Sequence, residues 1–222
     1  MKKITRGIGR ALCGSIEKMN NLEFLDLSLI NEEEIIDLNH ISSPPQRLQE
    51  LDIKGHLDQL LNWIPKLQHL VCVNILWSRL SEDPLKIFEN LPNLLELRIA
   101  YEAYNGKKLH FKEGGFTKLK ELELKYLNQL NVLIIDNGAL PLLEKLSIRP
   151  NPQLKEVPSE IRFLGNLKEL SFVGMPREYE ESLDPDQGTH YWIIAHVPVI
   201  YLLHKIGEGY YNYDNHILRP KH

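Results

Sequence analysis

One six-residue pattern, L-x-x-L-x-L with conservative replacements, constrains this chain more than any other feature. It recurs as Leu22-Leu25-Leu27, Leu48-Leu51-Ile53, Leu67-Leu70-Cys72, Leu94-Leu97-Ile99, Leu119-Leu122-Leu124, Leu143-Leu146-Ile148 and Leu167-Leu170-Phe172. Successive starts lie 26, 19, 27, 25, 24 and 24 residues apart. Leucine supplies 39 of the 222 residues, so a single hexad could arise by chance, whereas seven in near-register form a repeat.

The spacing dictates a shape. Apolar residues at hexad positions 4 and 6 alternate with polar ones, which describes a short strand with one apolar face and one charged face. One such unit cannot bury its leucines alone, so units of this length stack and their strands pair in parallel. The fold class is therefore α/β: a leucine-rich-repeat solenoid, curved like a horseshoe. One parallel sheet would line its concave face, with irregular or short-helical segments on the convex side. Strands should centre near residues 24, 51, 70, 97, 122, 146 and 170. Between them, segments such as Leu57-Leu60-Leu61-Ile64 and Ile161-Leu164 close each coil. One copy carries the longer signature, Leu143, Leu146, Ile148, Asn151 and Leu154, and places an amide where it can bond carbonyls of neighbouring turns.

Three regions follow from the pattern. Residues 1–21 read as the second half of an earlier repeat, truncated at its start, with Leu12, Ile16, Met19 and Leu22 as its apolar positions. Residues 22–175 hold about seven repeats. Residues 176–222 form a C-terminal cap and tail, in which Tyr191 to Pro198 would lie over the last coil.

Composition excludes several classes. A formal charge of −4 provides no basic field for nucleic acid or anionic membrane. Two cysteines, Cys13 and Cys72, make no disulfide framework and suit a reducing compartment. The most apolar stretch, Tyr191 to Leu203, falls short of the roughly 20 residues a span requires and contains His196 and Pro198. With no Asn-x-Ser/Thr sequon either, the expectation is a cytoplasmic protein without a membrane span.

Catalytic chemistry finds little support, and no cofactor is implied. His190, His196 and His204 lie 6 and 8 residues apart, unlike the tight pairs of zinc sites, and read as surface or cap histidines. Asp184 and Asp186 sit in a turn and read as a solvated loop rather than a dyad. No serine occupies a G-x-S-x-G elbow. Gly114-Gly115 lacks the strand–glycine–helix context of a phosphate loop and reads as a turn. Cys72, as the last apolar position of its hexad, is expected to be buried as a small hydrophobe rather than exposed as a reactive thiol.

A surface remains. The third hexad position would make a column of Phe24, Glu50, His69, Glu96, Glu121, Lys145 and Glu169, with Arg98 and Glu123 beside it. Strands about 4.8 Å apart would bring Glu96 and Glu121 together as like charges, partly offset by Lys120 and Lys145. Such a face is either a merely solvated sheet or a contact surface for a protein partner, and concave solenoid faces commonly bind. The candidate partner-binding residues are Glu50, His69, Glu96, Arg98, Glu121, Glu123, Lys145 and Glu169.

Several phrases resemble the C-terminal leucine-rich repeats of plant coiled-coil-type NLR immune receptors. They are Ile16-Glu17-Lys18-Met19-Asn20-Asn21-Leu22, Gly114-Gly115-Phe116-Thr117-Lys118-Leu119-Lys120-Glu121-Leu122 and Gly138-Ala139-Leu140-Pro141-Leu142-Leu143-Glu144-Lys145-Leu146. Leu154-Lys155-Glu156-Val157-Pro158, Gly174-Met175-Pro176 and Ile193-Ile194-Ala195-His196-Val197-Pro198 are similar as well. The resemblance covers roughly residues 12–200 and implies a non-enzymatic recognition module of a disease resistance receptor. In that family the repeats hold a nucleotide switch domain inactive and sense a pathogen effector or a guarded host protein. This chain has no G-x-x-x-x-G-K-[ST] motif, so the resemblance is to a receptor fragment, truncated product or excised domain. A free-standing leucine-rich-repeat scaffold or regulatory protein without an immune role is the alternative.

Overall fold

The computed structural model describes residues 6–29, 35–205 and 213–218. The Met1-Lys2-Lys3 start, part of the 184–222 tail and the side chain of His204 lie outside what is described.

The chain folds as a leucine-rich-repeat solenoid. Its strands are β1 (Phe24–Ser28), β2 (Ile35–Ile36), β3 (Glu50–Lys54), β4 (His56–Leu57), β5 (Cys72–Leu76), β6 (Glu96–Ala100) and β7 (Lys108–Phe111). They continue as β8 (Glu121–Lys125), β9 (Val132–Ile135), β10 (Lys145–Ile148), β11 (Glu169–Val173), β12 (Val199–Lys205) and β13 (Tyr213–Leu218). The helices are α1 (Arg6–Glu17), α2 (Leu85–Phe88), α3 (Arg177–Ser182) and α4 (Tyr191–Ile194), with 3₁₀ turns at Ile64–Lys66 and Ser159–Phe163. One nine-stranded sheet runs β1-β3-β5-β6-β8-β10-β11-β12-β13, and β2-β4 and β7-β9 form two small sheets on the returning segments. Every pairing in the large sheet is parallel except the last, where β13 folds back antiparallel on β12.

Lateral register produces the core. Leu25, Leu51, Val73, Leu97, Leu122, Leu146, Leu170 and Ile200 stand side by side, one per coil, and all are buried. A second column, Ile53-Ile75-Ile99-Leu124-Ile148-Phe172-Leu202, runs beside it and is buried too. Each coil thus covers its neighbours' leucines, which no coil could do alone. Trp63 donates its indole N–H to the Leu38 carbonyl at 3.0 Å, so the largest buried ring leaves no polar atom unpaired.

The third repeat departs from the expected register. Its strand is Cys72–Leu76, centred four residues later than residue 70, so the hexad is Leu70-Val73-Ile75. Moving the start from 67 to 70 turns the irregular gaps of 19 and 27 into 22 and 24. The ambiguity has a physical origin. Leu67 closes a tight turn onto the Ile64 carbonyl, as Leu91 does onto Phe88 and Leu164 onto Ile161. A leucine three residues before the hexad is itself part of the repeat, so L-x-x-L-x-x-L-x-L can be read in two frames. Only the second frame aligns Val73 with Leu51 and Leu97 and Ile75 with Ile53 and Ile99.

At the start, α1 buries Cys13 and Ile16, while Leu12 and Met19 turn outward. At the other end, α4 packs on the Ser159–Phe163 turn, and Ile193, Ile194 and Val197 are buried. The chain then re-enters the sheet as β12 beside β11. Tyr179 of α3 closes the core edge-on to Phe172, with ring centroids 5.1 Å apart.

Candidate functional site

The same alternation that buries the leucines turns the intervening side chains outward on one continuous face. Register places Phe24, Glu50, Cys72, Glu96, Glu121, Lys145, Glu169 and Val199 in a first column. A second holds Asp26, Asp52, Asn74, Arg98, Glu123, Ser147, Ser171 and Tyr201. Of the eight residues singled out from sequence, seven therefore share this face: Glu50, Glu96, Arg98, Glu121, Glu123, Lys145 and Glu169. Six of them, without Glu50, line a shallow depression of about 270 Å³.

His69 is not among them. The three-residue shift of the third repeat puts Cys72 in its place, and His69 sits with Gln49, Val71, Asn93, Leu95 and Lys118. Cys72 is correspondingly half-buried on the polar face rather than buried in the core. Burial pushes its thiol up to about 11, and the carboxylates of Glu96, Glu50 and Asp52 add to the shift. It is a protonated, unreactive thiol with Glu96 Oε2 3.9 Å away.

Charges on the face are arranged in two regimes. From β6 to β11 they interlock. Lys145 Nζ lies 2.8 Å from Glu121 Oε1, and Glu123 receives both Arg98 and, at 2.7 Å, Arg149. At the strand entrances Glu144 is held by Lys120 at 3.2 Å and Lys168 at 2.6 Å, and these hydrogen bonds hold its carboxyl below the usual range. Glu96 and Glu121 are direct register partners, and Lys145 on the far side of Glu121 supplies the offsetting charge. From β1 to β6 the pairing is sparser. Lys54 serves both Asp26, at 2.8 Å, and Asp52, at 3.5 Å, while Glu50 and Glu96 have no ion-pair partner among the described residues.

A ring ladder at the strand exits went unread in the sequence. Trp77, Tyr101 and Tyr126 each stand two residues beyond a hexad, and that constant offset is the signal that would have exposed them. Trp77 and Tyr101 stack at 4.8 Å between centroids, and Tyr101 and Tyr126 at 5.5 Å. All three are left-handed, with φ of 55°, 54° and 50°, a conformation that strains bulky residues. Bonds to the next coil hold them there: Trp77 N–H to Tyr101 O at 3.0 Å, Tyr101 N–H to Lys125 O at 2.8 Å and Tyr126 N–H to Pro150 O at 3.0 Å. Lys125 Nζ lies 4.6 Å over the Tyr101 ring and donates to its hydroxyl at 2.6 Å.

Elsewhere, His110 Nε2 meets Asp136 Oδ1 at 2.7 Å across β7 and β9, and that bond draws the Asp136 carboxyl down. No group of three or more His, Cys, Asp or Glu among the described residues is gathered so as to hold a metal ion. No helix among them is long and apolar enough to cross a membrane.

Comparison with known proteins agrees with this geometry. A family model described as "Leucine-rich repeat region" matches residues 1–184. The chain is 30% identical over 212 residues to disease resistance protein RPM1 of Arabidopsis thaliana, covering 96% of this chain and 22% of that protein. Disease resistance protein RPP8, also of Arabidopsis thaliana, is 30% identical over 193 residues, 84% of this chain and 21% of its own length. Disease susceptibility protein LOV1 from the same plant is 32% identical over 206 residues, 88% of this chain and 21% of its own. The chain therefore spans about a fifth of the curated relatives it matches. With its repeats in register and these relatives beside it, the chain belongs to the leucine-rich repeat region family, as found in plant disease resistance proteins.

Proposed function

We propose that this chain is the non-enzymatic protein-recognition module of a plant innate immune receptor, acting in the cytoplasm. Its partners would be a pathogen effector, a guarded host protein or a nucleotide-binding switch domain that the repeats hold inactive. One observation carries this reading: eight parallel strands present a continuous, predominantly polar face on the side opposite the buried leucine columns. A surface of that extent is free to be shaped by a partner, because changing it does not endanger the fold. In a receptor, such a face controls a switch only by binding its two states with different affinity.

The test is charge reversal, Glu96→Lys with Glu121→Lys, followed by titration against the switch domain of a related receptor at two ionic strengths. Weakened and less salt-sensitive binding is expected with circular dichroism unchanged. Unchanged affinity in the folded double variant would overturn the assignment of recognition to this face.

A further inference from the structure

The outward face is unevenly neutralised along its length, and its acidic half ends at an exposed ring. Around β8 and β10 the carboxylates of Glu121 and Glu123 are held by Lys145, Arg98 and Arg149. Toward β1 a single lysine, Lys54, is shared by Asp26 and Asp52, and Glu50 and Glu96 have no ion pair among the described residues. At the rim of that half stands Trp77, 44% exposed. One face of its indole is covered by Tyr101, stacked at 4.8 Å and 17°. The corresponding position of the preceding coil is Gly55, whose N–H bonds the Leu76 carbonyl at 3.0 Å. Gly55 supplies no ring, and the Leu29 side chain of the first coil leans over it, 3.0 Å from where a Cβ would stand, so the stack of rings ends at Trp77.

We propose that the β1–β6 half of this face, closed at its rim by Trp77, is the docking surface for an arginine-bearing polypeptide segment of the partner protein. The proposal rests on the recognition reading above and names the chemistry of what is recognised. Charge selects a cation: the carboxylates of Glu50 and Glu96 flank the half-buried Cys72 without a direct ion pair among the described residues. Lys145 acts on Glu96 only at longer range, so a cation from a partner would complete both carboxylates. The ring selects arginine. A guanidinium is planar, weakly hydrated and stacks on an indole, and it also pairs side-on with a carboxylate, whereas an ammonium does neither as well. The chain already shows this chemistry at another surface site, where the Arg162 guanidinium lies 5.2 Å over the Trp192 ring.

The experiment titrates the full chain into fluorescein-labelled tetra-arginine amide and, separately, tetra-lysine amide, read by fluorescence anisotropy. The expected result is about three- to fivefold tighter binding of tetra-arginine. Trp77→Ala should abolish that preference, and Trp77→Phe should restore part of it. The pair Glu50→Gln with Glu96→Gln should weaken both peptides about fivefold, while Glu178→Gln, an exposed acid on α3, changes neither. An arginine preference that survives Trp77→Ala in a protein with unaltered circular dichroism overturns the proposal. So does a Glu50/Glu96 variant that behaves like Glu178→Gln, because binding is then general acidity. If switch-domain binding persists in Trp77→Ala but is lost in Glu96→Lys with Glu121→Lys, the arginine site fails and the recognition reading stands.

Discussion

Asn151 Oδ1 accepts the backbone N–H of Leu127 at 2.8 Å across 24 residues of sequence, inside the core between two coils. Its Nδ2 donates to the carbonyls of Leu124 at 3.2 Å and Arg149 at 2.6 Å. One fully buried amide therefore ties together backbone groups of two coils at the turn after each strand, the Leu124 carbonyl also accepting the Arg149 N–H at 2.9 Å.

Replacing Asn151 with Ala should cost about 2 kcal/mol or more, since the buried Leu127 N–H and the Arg149 carbonyl lose this partner at once, while Leu124 O keeps the Arg149 N–H at 2.9 Å. Chemical denaturation measures this. A loss below about 0.5 kcal/mol would mean that water or relaxation replaces the amide.

Truncating a column leucine tests the stacking. Leu122→Ala or Leu146→Ala should destabilise by about 2–5 kcal/mol, because each is buried between neighbours on both sides. Leu142, 44% exposed, provides the contrast: its alanine variant should stay within about 0.5 kcal/mol of the parent.

The register of the third repeat predicts opposite tolerance at adjacent residues. Val73→Asp should prevent folding, because it buries an unpaired charge between Leu51 and Leu97. Cys72→Lys should fold, since its side chain faces outward between the carboxylates of Glu50 and Glu96. A folded Val73→Asp protein would restore the Leu67-Leu70-Cys72 frame.

Cys72 also gives a pH signature. Its thiol sits at about 11, so alkylation should accelerate only as the pH approaches that value, and Glu96→Gln should move the profile down. The raised value makes the contribution to stability complete below the ordinary thiol range. It is then lost as the pH rises from about 9 toward 11, where the unfolded chain releases its proton first. A profile centred on the ordinary thiol value would disprove this environment.

Glu17 ties α1 to the loop between β2 and β3. Its carboxylate accepts the N–H of Ser42 at 2.6 Å, the Ser42 hydroxyl at 2.8 Å and the Ser43 N–H at 3.0 Å, which draws the carboxyl below its usual range. A lowered value means stabilisation present above the ordinary carboxylate range and lost as the pH falls through the folded one. The difference in Tm between the parent and Glu17→Gln should therefore shrink steadily on acidification. A difference independent of pH would show that charge is not what the serines recognise.

The strand-forming alternation and the roughly 24-residue period were legible in the sequence, because a stacked repeat writes its core into every copy. Glu50, Glu96, Arg98, Glu121, Glu123, Lys145 and Glu169 were placed on one face by parity alone. Cys72 took the face position expected of His69 because Leu67, the turn leucine, mimics a hexad leucine, and no local pattern distinguishes Leu67 from Leu70. Trp77, Tyr101 and Tyr126 went unread for a related reason, since their shared offset emerges only when the third hexad is framed at Leu70. Each is an ordinary aromatic in its own coil, and the ladder exists only between coils.

What the sequence by itself determined is thus the repeat, the parallel sheet and the sidedness of its strands, since these follow from the spacing of apolar residues within a single copy. What only the tertiary structure decided is lateral: which frame Val73 and Ile75 adopt, which carboxylates find a cation, and where the ring ladder ends. Those depend on a neighbour about 24 residues away, brought one strand spacing apart, roughly 4.8 Å, by stacking. Parity along a strand is a local property, but alignment across strands is set by the whole array packing its leucines at once.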